Sequence, residues 1–125
     1  MIAMMTDEVD AAELSARMGR RKERITSPIA VFETAIGVSR ILGLKPKEGH
    51  AAVMEWLHLM GVQLLELPAP LTDLAVDAFE RYGKGQGHPA QLNLGDCFAY
   101  ACARHYRKPL LYKGDDFTHT DIDPA

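Results

Sequence analysis

The chain has 125 residues, of which 47% are apolar and 25% are charged, and its formal net charge is -3 at pH 7. This length suits one domain with one core, and the composition excludes both a disordered chain and a generally basic nucleic-acid-binding protein. No apolar run approaches the ~20 residues of a membrane span, and the N-terminus lacks the pattern of a secretory signal.

The first half of the chain predicts three helices and a short strand. Residues 1–19 are helical in pattern, with Thr6 or Asp7 as an internal N-cap, and "RIT" after the basic segment is a strand. Ser27 caps a helix that starts at Pro28, because proline needs no hydrogen-bond partner at that position. This helix carries apolar residues at Ile29, Phe32, Ile36 and Val38 and ends near Gly43. A further helix fits residues 47–60.

The second half continues the alternation of helices and short apolar strands. "VQLLELP" predicts a strand, residues 70–82 a helix, and "GKGQGHPAQLN" a glycine-rich loop. A helix over 94–106 is followed by the apolar run "LLY", which is typical of a buried parallel strand. The order therefore predicts an α/β fold with a parallel sheet.

Two cysteines lie within the last predicted helix. Cys97 and Cys102 are five positions apart, so their side chains point about 140° apart and cannot form a disulfide. We interpret them as reduced residues and expect a cytoplasmic protein.

Carboxylates stand at three notable places. Asp96 follows Asn93 by three residues, which is the spacing of a helix capping box. Glu33 lies about 40° from Ile29 on a helical wheel, on the apolar side of its helix, where it needs a positive partner or access to water. The third place is the turn "KGDDF", where Asp115 and Asp116 follow a strand.

Each carboxylate has a structural explanation, but together they also fit a metal site. Convergent acids repel one another, and a hard divalent cation with oxygen ligands relieves that repulsion. Mg²⁺ or Mn²⁺ is the expected ion. The scattered histidines lack zinc-site spacing, and "GKGQG" lacks the remainder of a phosphate-binding loop.

The blocks "SPIAVFETAIGVSRILG" and "GKGQGHPAQLNLGDCFAYACARHYRKPLLYKGDDFTHTDI" resemble the PIN-domain ribonucleases, specifically the VapC toxins of VapBC toxin–antitoxin pairs. The resemblance covers essentially the whole chain, as one PIN-like domain over 1–125. It implies a PIN-like α/β/α sandwich with a central parallel sheet, a homodimer, a cognate VapB-type antitoxin, and Mg²⁺- or Mn²⁺-dependent cleavage of RNA.

The same resemblance implies a set of metal-binding and catalytic acids. Glu33 matches the second acidic position of the family and Asp96 the third, while Asp116 is the first choice for the fourth and Asp115 the alternative. The family's first acid lies in an opening strand in the middle of its sheet, and Met1 falls just after the position of that strand. A start codon assigned too late and a truncated or degenerate copy both explain this.

Two functions follow as hypotheses. The first is a toxin-type endoribonuclease with substrate contacts from Arg104, Lys113 and His88, and the chain as written is expected to have weak or absent activity. The second is a catalytically impaired PIN-fold module that dimerises or titrates an antitoxin. An antitoxin-docking surface on the helix over 47–60 is also implied, with Trp56 as the residue to test.

Overall fold

A computed structural model of the chain describes residues 1–112 and 117–125. The elements within these ranges, in chain order, are α1 (Ile2–Met5), α2 (Ala11–Gly19), β1 (Ile25–Thr26), α3 (Pro28–Leu42), α4 (Pro46–Leu59), β2 (Gln63–Leu64), α5 (Leu71–Tyr82) and α6 (Leu94–His105). Contacts divide the chain into two compact units, Met1–Glu66 and Leu67–Ala125.

The first unit is built around the α3–α4 pair and one parallel strand pair. Helix α3 begins where the sequence predicts, because the Ser27 side chain accepts the Ala30 N–H at 3.2 Å and Pro28 follows the cap. It ends at Gly43, whose φ of 67° favours glycine. Strand β1 pairs in parallel with β2, with Ile25 opposite Gln63.

A small apolar core holds α3 and α4 together. It consists of Val31, Ala35, Val53 and Leu57. The two helices approach so closely that a Cβ added at Gly49 would meet the Ser39 hydroxyl and would lie 2.6 Å from the Ala35 carbonyl oxygen. A side chain at position 49 would therefore push the pair apart.

The second unit packs α5 against α6 and the C-terminal segment. Its buried apolar residues include Leu71, Ala78, Leu92, Tyr100 and Phe117. Between the two helices, a glycine-rich loop is closed by a parallel bridge between Gly83 and Leu92. A second isolated parallel bridge joins Leu110 to Pro124.

The predicted α/β class and the parallel pairing of short strands are confirmed, but several boundaries differ. The predicted helix over 1–19 is two helices, separated at Asp7, whose φ of 54° interrupts helical geometry. Asp10, rather than Thr6 or Asp7, is the N-cap of α2. The predicted strands "VQLLELP" and "LLY" shrink to Gln63–Leu64 and to the bridge at Leu110.

The buried face of α3 is also not the predicted one. Val31, Thr34, Ala35, Val38 and Ser39 are its buried residues. Ile29 and Ile36 are only half-buried, and Phe32 is 66% exposed. Apolar residues occupy most sides of this helix, so periodicity alone does not select the face that packs on α4. No helix among the described residues is long and apolar enough to span a membrane.

Candidate functional site

Asp96 lies in the first turn of α6 and closes a capping box with Asn93. The Asn93 side-chain oxygen accepts the Asp96 N–H at 2.9 Å, and Asp96 Oδ2 accepts the Asn93 N–H at 3.1 Å. The predicted cap is therefore confirmed. Because Asp96 is half-buried and held by this reciprocal pair, its carboxylate has a fixed position at the positive end of the helix dipole.

The surroundings of Cys97, the buried residue next to Asp96, shift the pKa of its thiol. Burial raises the pKa of Cys97, and the negative charge of Asp96 raises it further. Cys97 is thus held as a neutral thiol, which makes it a poor nucleophile.

Glu33 lies in α3 and is exposed. The buried residues of this helix occupy the opposite side, so Glu33 is on the exposed face and not on the apolar side that the sequence predicted. No desolvation cost then has to be offset by a positive partner.

The three remaining predicted residues of the acidic turn fall at 113–116. Lys113, Asp115 and Asp116 lie outside the described residues. Within the described ranges, no three His, Cys, Asp or Glu side chains form a group that could hold a metal ion. The donors at Glu33 and Asp96 are carboxylate oxygens, which is the ligand type that Mg²⁺ and Mn²⁺ prefer.

Arg104, predicted to contact substrate, is part of a polar cluster at the C-terminal end of α6. Its Nη2 atom lies 2.7 Å from Asp121 Oδ2 and also donates to the Asp121 carbonyl at 2.9 Å, while Nε donates to the Tyr100 hydroxyl at 3.3 Å. The Tyr100 hydroxyl in turn donates to Asp121 Oδ1 at 2.6 Å. Arg81 joins the cluster through Asp121 at 3.3 Å.

The cluster changes the proton affinities of its members. Burial pushes the pKa of Asp121 upward, but hydrogen bonds from Tyr100 and Arg104 and the two arginine charges outweigh it, so the pKa is held well below its usual range. The pKa of Tyr100 is raised by burial and by its bond to Asp121. Sequence reasoning missed this cluster: Tyr100 and Arg104 have helical i, i+4 spacing, but no spacing points to Asp121 as their partner.

His88, the other predicted substrate contact within the described residues, is half-buried in the glycine-rich loop. Its Nδ1 atom accepts the Ala90 N–H at 3.1 Å, and its ring lies edge-on to Tyr82 with centroids 5.0 Å apart. Accepting at Nδ1 requires the Nε2-protonated tautomer in the neutral ring. The loop therefore holds His88 in one orientation.

Comparisons with known proteins agree with one family. A family model described as PIN domain matches residues 1–123. Ribonuclease VapC30 of Mycobacterium tuberculosis is 39% identical over 122 residues, covering 98% of this chain and 90% of that protein. Ribonuclease VapC of Mycolicibacterium smegmatis is 39% identical over 122 residues, with 98% and 92% covered. A VapC ribonuclease of Rhizobium meliloti is 34% identical over 133 aligned positions, with 98% and 94% covered.

The chain therefore belongs to the PIN-domain family, and within that family to the VapC ribonucleases. The resemblance that the two sequence blocks carry is confirmed over nearly the whole chain.

Proposed function

We propose that this protein is a toxin-type endoribonuclease that hydrolyses RNA phosphodiesters with a bound divalent cation. The observation that carries the proposal is the near-full-length similarity to proteins named VapC ribonucleases. The fixed carboxylate of Asp96 at the start of α6 supports it, because a metal-assisted hydrolase needs preorganised oxygen donors.

The proposed metal-binding and catalytic residues are Glu33, Asp96 and Asp116, with Asp115 as the alternative to Asp116. When bound, Mg²⁺ or Mn²⁺ supplies an activated water and stabilises charge on the phosphate. In the capping box, Asp96 Oδ2 accepts the Asn93 N–H. This hydrogen bond fixes the orientation of the whole carboxylate. Asp96 thus provides an oriented oxygen ligand, which would lose little side-chain entropy when it binds a metal ion.

We propose that Arg104, Lys113 and His88 contact the RNA. Arg104 commits Nε and Nη2 to Tyr100 and Asp121, so a phosphate contact falls to Nη1. For His88, the neutral tautomer leaves Nε2–H as the donor toward substrate.

Partners and compartment belong to the same proposal. A cognate VapB-type antitoxin and a second copy of the chain are the proposed protein partners. Cys97 and Cys102 are not joined in a disulfide, which fits the reducing cytoplasm.

The alternative function is a catalytically impaired PIN-fold module that dimerises or titrates an antitoxin. The PIN-domain match over residues 1–123 supports the fold on which such binding would depend. A binding module of this kind needs the fold but not the metal.

The test is cleavage of RNA by the purified chain with Mg²⁺ or Mn²⁺, compared with Asp96→Asn. The chain as written is expected to cleave weakly at most, and Asp96→Asn is expected to lower that rate by a further factor of about 100 or more, because a neutral amide is a poor ligand for a hard cation. The matched control is Asp73→Asn, an exposed acid on α5 outside the proposed set.

Circular dichroism checks that both variants fold. Cleavage that survives in Asp96→Asn or in a metal chelator contradicts the proposed chemistry. A folded chain that cleaves no RNA with either cation but binds its antitoxin selects the alternative function.

A further inference from the structure

The glycine-rich loop of the second unit restrains both the ring and the backbone of His88. The Nδ1 atom of His88 accepts the Ala90 N–H at 3.1 Å. The ring of buried Tyr82 lies edge-on to the imidazole, with centroids 5.0 Å apart. Gln91 Nε2 donates to the His88 carbonyl at 2.7 Å, which holds the main chain at this point. The loop therefore presents a half-buried ring in a fixed orientation.

The Nε2 edge of this ring is available to a ligand. Nε2 makes no hydrogen bond to any residue within the described ranges, and in the neutral ring it carries the proton. Gly85 and Gly87 precede His88 in the loop, and a Cβ added at either would find nothing within 4 Å. Their φ values of 89° and 74° favour glycine. Main chain without side chains beside a fixed ring leaves room for a flat molecule to approach closely.

The same loop carries a positive charge and leads directly into the start of α6. Lys84 is exposed, and its backbone N–H donates to the Leu92 carbonyl at 2.9 Å, which fixes the point from which its side chain extends. Asn93 follows Leu92 and caps α6 through its reciprocal hydrogen bonds with Asp96. The loop and Asp96 thus belong to one continuous segment, in which a lysine suits the phosphates of an RNA strand.

We propose that His88 and the adjoining glycines form a subsite for an unpaired purine base of the RNA. The inference rests on the proposed function, because it makes the loop part of the same RNA-binding site. The Nε2–H group needs an acceptor, which purine N7 supplies. A purine also has a larger ring surface than a pyrimidine to lie over the exposed main chain at Gly85 and Gly87. Carboxylates act on a phosphodiester that all nucleotides share, so this subsite would supply the choice of sequence.

The test compares RNAs of about ten nucleotides, all uridines except for one central position. That position is a purine (adenosine or guanosine), its 7-deaza analogue, which lacks the N7 acceptor, a further uridine, or an abasic site. Fluorescence anisotropy measures binding to the full chain in a metal chelator, so that hydrolysis does not affect the result. We expect one of the purine RNAs to bind at least about fivefold more tightly than its 7-deaza analogue, and the abasic RNA to bind most weakly.

Two variants of His88 separate contact with the base from support of the loop. His88→Asn keeps a side-chain acceptor for the Ala90 N–H but removes Nε2–H, whereas His88→Phe keeps a flat ring and removes both nitrogens. Both are expected to lose the preference for the purine over its 7-deaza analogue. The matched control is His105→Phe, because His105 is an exposed imidazole that lies edge-on to Tyr106, with centroids 4.7 Å apart. This control should keep the preference.

The proposal is overturned if each purine binds like its 7-deaza analogue or like uridine, or if no RNA binds. It is also overturned if His88→Asn keeps the preference, because His88 then only supports the loop. Circular dichroism verifies that each variant folds, and His88→Asn decides the matter if His88→Phe does not. Cleavage with Mg²⁺ or Mn²⁺ is measured separately. A chain that cleaves RNA without a purine preference loses this subsite alone, whereas one that prefers a purine but cleaves nothing loses the proposed hydrolysis alone.

Discussion

The two compact units each have an apolar core, but they differ in the contacts that they add to it. In Met1–Glu66, α3 and α4 meet through small residues, with Gly49 against Ser39 and Ala35. In Leu67–Ala125, a polar cluster centred on Tyr100 and Asp121 links α6 to the C-terminal segment. Close steric contact is intolerant of added atoms but insensitive to protonation, whereas a polar cluster depends on the charge of its members.

The largest expected effect is that of Gly49→Ala. The added methyl group would overlap the Ser39 hydroxyl and approach the Ala35 carbonyl, so we expect the free energy of unfolding to fall by about 2–3 kcal/mol. Urea unfolding measures the change. Gly19→Ala is the matched control, because nothing lies within 4 Å of the new Cβ. Equal effects at the two glycines would contradict the close contact of α3 and α4 at Gly49.

Tyr100→Phe tests the second unit in the same assay. It removes the hydroxyl that donates to Asp121 at 2.6 Å and accepts from Arg104. We expect a loss of about 1–2 kcal/mol, reduced by the partial exposure of Asp121. A double-mutant cycle with Asp121→Asn isolates the pair, and strictly additive losses would show that the two side chains are not coupled.

Helix capping can be compared directly between the two units, because each contains a side-chain cap. Asn93→Ala removes the acceptor of the Asp96 N–H, and Ser27→Ala removes the acceptor of the Ala30 N–H. Each is expected to cost about 1 kcal/mol in unfolding experiments. Asn93→Ser restores an acceptor and should recover most of the stability. A much larger loss at one cap would show that its side chain has a further structural role.

The smallest expected effect is a difference in pH dependence. Asp121 has a lowered pKa in the folded state, so its contribution to stability is present above the pKa of the unfolded chain, about 4, and declines as the pH falls below it. Urea midpoints of the unmodified chain should therefore fall more steeply below about pH 4 than those of Asp121→Asn. Parallel pH curves would contradict the role given to this carboxylate.

Sequence reasoning succeeded where local chemistry decides the structure. Ser27 with Pro28, and Asn93 with Asp96, predicted helix starts and a capping box because these interactions span only three residues. The prediction of the buried face of α3 was wrong because that helix has apolar residues on several sides. Asp121 was missed because its partners are separated from it in sequence by 17 and 21 positions.

The candidate site was predictable to a smaller extent. The family followed from residues in two continuous blocks, and similarity to VapC ribonucleases confirms it. The capping position of Asp96 followed from its spacing to Asn93. The metal set of Glu33, Asp96 and Asp116 stays a prediction, since convergence of distant side chains is a property of tertiary structure.

The bridge between Gly83 and Leu92 affects how the glycine-rich loop can change in sequence and length during evolution. Lys84 donates to the Leu92 carbonyl and Leu92 donates to the Tyr82 carbonyl, both at 2.9 Å, so the two ends of the glycine-rich loop are tied together. Residues between these ends can change in number or kind at a small entropic cost while the start of α6 stays in place. The sequence of the loop can thus evolve without moving the carboxylate of Asp96.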